Sequence, residues 1–271
     1  MKYLIFLTFL FISHYTFSQQ LVTKKISDHK INSEFTVIKD SPDVKHGYYR
    51  HHDKLNSTIS EGFYKYGSKD SVWKITRNKT LTSTGSFKND LATGVWKSYR
   101  TMKKGVCLID SGEYINDQKV NEWACFDQCN LELRYNYSTK KLIYHAKDST
   151  FYSIISGSDT LLVTPDNPPL YPGGKANFRN KIATEIRFPK EFVTTHKFFA
   201  RKVTLSFWVS ETGTIEEVTV IKKCEEPFNN EAIRVFKYFE GDTWIPAAYE
   251  GKPVKSKIIL PINFYFEYIL D

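Results

Sequence analysis

A short unit that occurs three times constrains the fold of this chain more than any other feature. In each copy an aromatic residue stands two positions after a glycine, and a tryptophan stands eleven positions after it. The glycine and tryptophan pairs are Gly62 with Trp73, Gly85 with Trp96, and Gly112 with Trp123. The copies start 23 and then 27 residues apart. A period in this range indicates an array, in which each unit is one supersecondary element that buries its apolar side against its neighbours.

Each copy has the composition of a β-hairpin. The middle segments GSKDS, KNDLATG and NDQKVN are polar, and runs with alternating aromatic residues flank them. Polar residues between two alternating runs predict a hairpin with a short turn. The glycines permit close backbone approach, and the aromatic residues supply the core. The N-terminal half is therefore predicted to be mainly β.

These units resemble MORN-type repeats, which are Gly-x-aromatic hairpins of roughly 23 residues that stack into a ribbon-like sheet. The resemblance covers about Lys45 to His145, with an insertion, TMKKGVCLID, after the second copy and degraded units at both ends. It implies a scaffold or interaction surface. We therefore expect structural roles for Gly62, Trp73, Gly85, Trp96, Gly112 and Trp123, and ligand stacking on the tryptophans is the alternative.

The first residues have the pattern of a secretory signal. Met1-Lys2 precedes the apolar run YLIFLTFLFIS, which is short for a permanent anchor, and polar residues follow. We predict a signal peptide at 1–19, an N-terminal extension at 20–44, a repeat domain at 45–160, a proline-rich linker at 161–170 and a second domain at 171–271. A retained anchor is the alternative to cleavage.

The formal net charge of +8 is dispersed, and no run of five or six like charges occurs. Nucleic-acid binding is therefore disfavoured, and mild attraction to anionic envelope polymers is the expected consequence of the charge.

Four cysteines allow two disulfides, but Cys224 lies far from the other three. We predict at most one bridge, joining Cys107 to Cys125 or Cys129, with Cys224 as a thiol. The stretch containing His46, His51, His52 and Asp53 is predicted to be a solvated loop or array edge, because no nucleophile motif accompanies it. No catalytic residue, metal site or cofactor is expected.

The second half predicts a small α+β domain. After the linker TPDNPPL, apolar residues recur at helical spacing from Phe178 to Ile186. RKVTLSFWVS alternates as a strand with one buried face, and a turn at Glu211–Thr214 leads to a second strand, IEEVTVIKK. A helix starts at Pro227, and SKIILPINFYFEYIL forms a last alternating strand. The predicted order is helix, strand, strand, helix, strand.

The runs YPGGKANF, FPKE, FNNEAIRVFK and GKPVKSKIILPINF resemble the C-terminal domain of TonB-family energy transducers, over Tyr171 to Phe266. Phe188-Pro189 stands where that family usually has Tyr-Pro. The resemblance implies a periplasmic domain that binds outer-membrane receptors by adding a receptor strand to its sheet edge. The residues that it implicates at that edge are Lys257, Ile259, Pro261, Asn263 and Tyr265, with Phe188 and Pro189 nearby. Pro261 itself favours an edge or a bulge, because it cannot donate to a ladder.

We therefore expect a non-enzymatic protein of the periplasm or cell envelope of a Gram-negative bacterium. Its partner would be an outer-membrane receptor or another envelope protein, its membrane association would be through partners, and a homodimer is possible. One alternative is a TonB-type transducer for transmembrane transport, although TonB itself has a permanent anchor and a long proline-rich spacer in place of this signal and array. Another is a cell-wall-active enzyme centred on His46 to Asp53.

Overall fold

The computed structural model describes residues 19–195, 198–239 and 241–267. All but the last residue of the predicted signal peptide lies outside the described residues. The chain divides into two compact units, one formed by residues 1–79 and 87–91 and the other by residues 80–86 and 92–271.

Most of the described chain is β-strand. The strands are β1 Leu21–Ser27, β2 Ile31–Ile38, β3 Ser41–Asp53, β4 Thr58–Lys65, β5 Ser68–Arg77, β6 Thr80–Lys88, β7 Leu91–Met102, β8 Gly105–Ile115, β9 Gln118–Asp127, β10 Asn130–Asn136, β11 Lys141–His145, β12 Tyr152–Ser156, β13 Asp159–Val163, β14 Phe198–Val209, β15 Ile215–Lys222, β16 Ala247–Tyr249 and β17 Lys252–Glu267. The helices are α1 Gly174–Glu185, α2 Lys190–Thr195 and α3 Glu226–Lys237. Strands β1 to β11 form one sheet in chain order. The predicted hairpin array followed by a small α+β region is confirmed.

Two-residue turns close the hairpins of the repeats. The turns are Tyr66-Gly67, Asn89-Asp90 and Asn116-Asp117, and both residues of each have positive φ. Positive φ at both central positions defines the turn type that matches the twist of paired strands, and Asn, Asp and Gly adopt it most readily. The polar middles of the repeats therefore act as hairpin turns.

In the first unit, Trp73 packs on Gly62. A Cβ added to Gly62 would lie 2.4 Å from Cδ2 of Trp73, so the indole occupies the space that a side chain would need. The indole Nε1 donates to the carbonyl of Phe63 over 3.1 Å. The aromatic rings of Tyr49 and Tyr64 lie 5.7 and 5.3 Å from that of Trp73. The absence of a side chain at Gly62 thus leaves the space that the indole of Trp73 fills.

The second unit repeats this arrangement twice. Trp96 packs on Gly85 and Trp123 packs on Gly112, and an added Cβ would lie 2.0 and 2.1 Å from the respective Cδ2 atoms. Each indole donates over 3.1 Å to the carbonyl of the residue after its glycine. The predicted structural residues therefore form three equivalent Gly–Trp pairs.

The C-terminal sheet has the strand order β13-β12-β17-β14-β15, and β16 pairs with β17. Its core consists of side chains from one face of β14 and β17 and from the helices; the largest fully buried ones are Phe199, Phe207, Phe228, Phe236, Phe239 and Phe264. Phe178 is buried, and Ile182 and Ile186 pack against this core, as the helical spacing predicts.

The structure adds elements that the sequence did not indicate. Hairpin β12–β13 pairs with β17 through Ile154 and Ile155, although it was expected within the repeat domain. The predicted linker begins inside β13, and Asn167 and Leu170 form bridges to Ala248 and Ile245. Proline lacks a backbone donor, but the residues next to the prolines, Asn167 and Leu170, keep theirs and can pair. Residues 161–170 are therefore held against the C-terminal sheet rather than free.

Within the second unit, α1 begins directly against β9 and β10. Gly174 has a φ of +76°, and an added Cβ would lie 2.7 Å from Cβ of Cys125. The amide of Lys175 donates to Oε2 of Glu132 over 2.9 Å, which satisfies one of the free amides at the start of the helix. The double glycine of YPGG thus has a physical basis, because residue 174 needs both the conformation and the space.

Candidate strand-binding site

The last strand, β17, has an open edge over most of its length. Strand β14 pairs with it from Ser256 to Glu267, whereas on the opposite side β12 pairs only at Lys255 and Ser256. From Lys257 to Glu267, that opposite side faces no other strand of the described part of the chain. Unpaired backbone groups along an edge are a template for another strand.

Pro261 indicates which backbone groups face this edge. It lies opposite Thr204 in a ladder with β14 that has no register shift. Alternate residues of a strand direct their backbone groups to the same side. Because Pro261 has no donor, an intact ladder requires it to be one of the residues directed away from β14. By the same alternation, Lys257, Ile259, Asn263 and Tyr265 present their amides and carbonyls to the open side.

The side chains of β17 separate into two sets. Ile262 and Phe264 are buried in the core, and Ile258, Leu260 and Phe266 pack against it. The five residues that the resemblance implicates lie on the other face, where Ile259 and Tyr265 are 63% and 59% exposed. Nζ of Lys257 lies 5.2 Å from the ring centroid of Trp208. These five residues thus form one continuous row.

A groove of about 710 Å³ lies along the same strand. Apolar side chains of α1 and β17 line it, together with Lys175 and Arg179 at one wall. The apolar lining residues include Phe178, Ile182, Ile186, Phe188, Ile258, Leu260 and Ile262. An apolar groove beside an open edge suits a peptide in extended conformation, because alternate side chains of a strand point to one face.

Phe188 and Pro189 have different surroundings. The ring of Phe188 lies 5.7 Å from that of Phe199 and 5.8 Å from that of Phe266, and its side chain lines the groove. The carbonyl of Pro189 accepts from the amide of Phe192 at the start of α2. Phe188 thus belongs to the groove, whereas Pro189 shapes the connection between two helices.

The cysteines follow the prediction. Cys107 and Cys129 form a disulfide with a Cα–Cα distance of 5.0 Å, and Cys125 and Cys224 are free thiols. Cys129 lies in the two-residue turn between β9 and β10, and its disulfide partner Cys107 lies in β8. The pairing is the second of the two alternatives that the sequence left open.

The histidine stretch lies in β3, and its side chains serve the sheet. Nδ1 of His51 lies 2.7 Å from Oγ of Ser33, which is the residue opposite it in β2. Nδ1 of His46 accepts from the amide of Tyr66 over 3.3 Å. The stretch is therefore an interior strand of the sheet, and the prediction of a solvated loop or array edge is wrong, because its residues pair with β2 on one side and β4 on the other.

Neither a metal-binding cluster nor a membrane-spanning helix occurs among the described residues. No group of three or more His, Cys, Asp or Glu side chains there is placed to hold a metal ion. In that same part of the chain, no helix has both the length and the apolar character needed to cross a membrane.

The sequence analysis did not identify two acidic residues, Asp110 on β8 and Glu132 on β10, whose side chains contact the start of α1. Glu132 accepts from the amide of Lys175, and Asp110 accepts from Nδ2 of Asn177 over 2.6 Å. Both are buried. In NLELRYN the alternation places Glu132 on the polar face with Arg134 and Asn136, so the sequence carries no signal of its burial.

The C-terminal domain is thus a small α+β sheet with one open edge and an adjacent apolar groove. Residues 202–266 match the family model of the Gram-negative bacterial TonB protein C-terminal domain. This is a family of binding domains of the Gram-negative cell envelope. The match covers most of β14, all of β15, α3 and β16, and most of β17. The likeness of the repeats to MORN-type units remains a prediction. No curated protein matches the chain.

Proposed function

We propose that this protein is a non-enzymatic binding protein of the periplasm, which engages an outer-membrane receptor or another envelope protein by accepting a strand at the free edge of β17. In this proposal residues 1–19 are an export signal, the repeats are a scaffold and residues 171–271 are the binding domain. The observation that supports it most is the one-sided pairing of Lys257 to Glu267.

Strand addition draws affinity from backbone hydrogen bonds and specificity from alternate side chains. The groove beside Leu260 and Phe188 would take every second side chain of the partner, so these positions should be apolar. The intervening side chains would face solvent. Pro261 offers no donor, so the partner's register must leave one of its acceptors unbonded there.

Energy transduction is the second candidate, and the family match is the observation that favours it. It requires residues 1–20 to remain as an anchor in the inner membrane. N-terminal sequencing of the protein from membrane and soluble envelope fractions distinguishes the two functions. An intact Met1 in the inner membrane would favour transduction, and a start near Leu21 would favour the binding protein.

The binding claim is tested by titrating the mature full chain with peptides from the N-terminal segments of outer-membrane receptors. Asn263→Pro removes a backbone donor that faces the open edge, whereas Asn263→Ala changes the side chain and keeps the donor. Thermal melts of both variants establish that they fold. We expect Asn263→Pro to weaken binding at least about tenfold, because one neutral backbone hydrogen bond to the partner strand is lost. We expect Asn263→Ala to bind as the wild type does. Equal binding by both folded variants would refute strand addition at this edge.

A further inference from the structure

A second cavity of about 580 Å³ lies within the second unit, between strands β8 to β10 and the segment that opens α1. Its volume falls in the range of small-molecule sites, roughly 300–1,000 Å³. It is distinct from the groove along β17, and only Tyr171 lines both. Polar and aromatic side chains dominate its wall, among them Asp110, Lys119, Tyr135, Tyr137, Tyr171 and Asp242.

Asp110 provides an unused acceptor in this wall. The residue is only 6% exposed, and its Oδ2 accepts from Asn177. Its Oδ1 is enclosed and has no hydrogen-bond partner among the described residues. A buried oxygen without a partner is costly to a folded protein, so a ligand that brings a further donor to the Asp110 carboxylate is favoured.

Lys119 provides a donor on the same side. Its Nζ lies 3.9 Å from Oδ2 of Asp110 and 3.8 Å from the ring centroid of Trp123. Burial lowers the pKa of the Lys119 ammonium. The ring and the carboxylate hold this group in place, which orients its remaining hydrogens.

Three of the four charged residues that line the cavity are already paired, and the fourth, Lys140, is exposed. Asp110 lies beside Lys119, and Oδ2 of Asp242 lies 2.6 Å from Nζ of Lys181 and accepts from the Tyr171 hydroxyl over 3.2 Å. A charged ligand would have to compete with these pairs. A neutral ligand with several hydroxyl groups would instead use the lone pairs and hydrogens that the pairs leave free.

Three tyrosines supply the remaining wall. Tyr135, Tyr137 and Tyr171 each present an apolar ring and a polar hydroxyl, which is the combination that contacts a ring with a C–H face and hydroxyl edges. We propose that this cavity binds a neutral sugar, whose C–H face lies on a tyrosine ring while one hydroxyl donates to the carboxylate of Asp110 and another accepts from Lys119.

The test is an NMR titration of the mature full chain with cellobiose, and with the zwitterionic dipeptide alanyl-alanine as the charged competitor. We expect amide shifts concentrated at Asp110, Lys119, Tyr137 and Asn177, with a dissociation constant in the millimolar range or tighter. Asp110→Asn should weaken sugar binding about tenfold, because the amide that replaces the carboxylate is a weaker acceptor. Asp159→Asn, at an exposed position in the β12–β13 hairpin, is the matched control and should leave binding unchanged.

If Asp110→Asn fails to fold, Lys119→Met replaces it as the test variant. The chemical-shift map of the wild-type protein does not depend on either variant. Cellobiose shifts absent from the cavity residues would overturn the proposal. Shifts with alanyl-alanine alone would also overturn it, because they would indicate a site for charged ligands. Neither result depends on receptor binding at β17.

Discussion

The indole of Trp123 fills the space that a side chain at Gly112 would need, because a Cβ added to Gly112 would lie 2.1 Å from Cδ2 of Trp123. The indole Nε1 donates to the carbonyl of Glu113, the residue after this glycine. The register between β8 and β9 shifts at this point, so Trp123 lies in a bulge opposite the glycine. Asn121, two residues before the tryptophan, has positive φ, as do Ser71 and Gly94 at the same position of the other copies. The eleven-residue spacing thus follows from a two-residue turn and a bulge.

We expect Gly112→Ala to destabilise the protein by about 1–3 kcal/mol, because the alanine methyl group displaces the Trp123 indole from the space that it fills. The free energy of unfolding from urea titration measures this loss. Gly241 is the control, since it has no positive φ and no atom near an added Cβ. Gly241→Ala should change the free energy by less than about 0.5 kcal/mol. Equal effects of the two substitutions would contradict the packing account.

The disulfide should stabilise the protein. Cys107 and Cys129 are 22 residues apart, and a loop of this size predicts a loss of about 2–4 kcal/mol on removing the crosslink. Urea titrations of Cys129→Ser and of the wild type with reductant should agree. Cys224→Ser, which removes a free thiol, should match the oxidised wild type. A disulfide mapped by mass spectrometry to Cys125 or Cys224 would show that the pairing is wrong.

Much of the fold could be predicted because its signals are local. The Gly–Trp spacing predicts hairpins, and the alternation in RKVTLSFWVS and SKIILPINFYF predicts the two long strands. Pro261 and the resemblance predict an open edge at β17, but the pairing of Lys255 and Ser256 with β12 could not be predicted, because it depends on where the distant hairpin β12–β13 attaches. The same is true of Glu132 and Asp110, whose contacts with α1 join residues more than forty positions apart.

Glu132 should make the stability of the protein depend on pH. Burial raises the pKa of this carboxyl, so the folded state binds its proton more tightly than the unfolded state does. Its contribution to the free energy of unfolding therefore falls as the pH rises from the ordinary glutamate value, about 4.3, through the folded pKa, and is constant above it. Glu132→Gln keeps an acceptor for Lys175 and removes this titration.

We therefore expect the stability of Glu132→Gln relative to wild type to rise over that pH window and then to level off. Urea titrations at a series of pH values measure it, and Glu211→Gln at an exposed site is the control. A relative stability that falls with rising pH would show that the ionised carboxylate is favoured in the folded state.

Cys125 should resist alkylation in the native protein. Its thiol is buried beneath Gly174, and burial raises its pKa to about 12. The thiolate is the reactive form, so iodoacetamide should label Cys224 well before Cys125 at neutral pH. Mass spectrometry of timed samples gives both rates, and urea should abolish the difference. Rapid labelling of Cys125 without denaturant would mean that α1 does not stay docked on β9.

The free edge of β17 is tested most directly by amide hydrogen exchange, residue by residue, in the full chain with and without a bound receptor peptide. Without peptide, the amides of Ile258, Leu260, Ile262 and Phe264 should exchange slowly because they bond to β14, and those of Lys257, Ile259, Asn263 and Tyr265 should exchange rapidly. A bound peptide strand should slow the second set and leave the first unchanged. Slow exchange of both sets in the free protein, or a second set that stays rapid when the peptide is bound, would contradict strand addition at this edge.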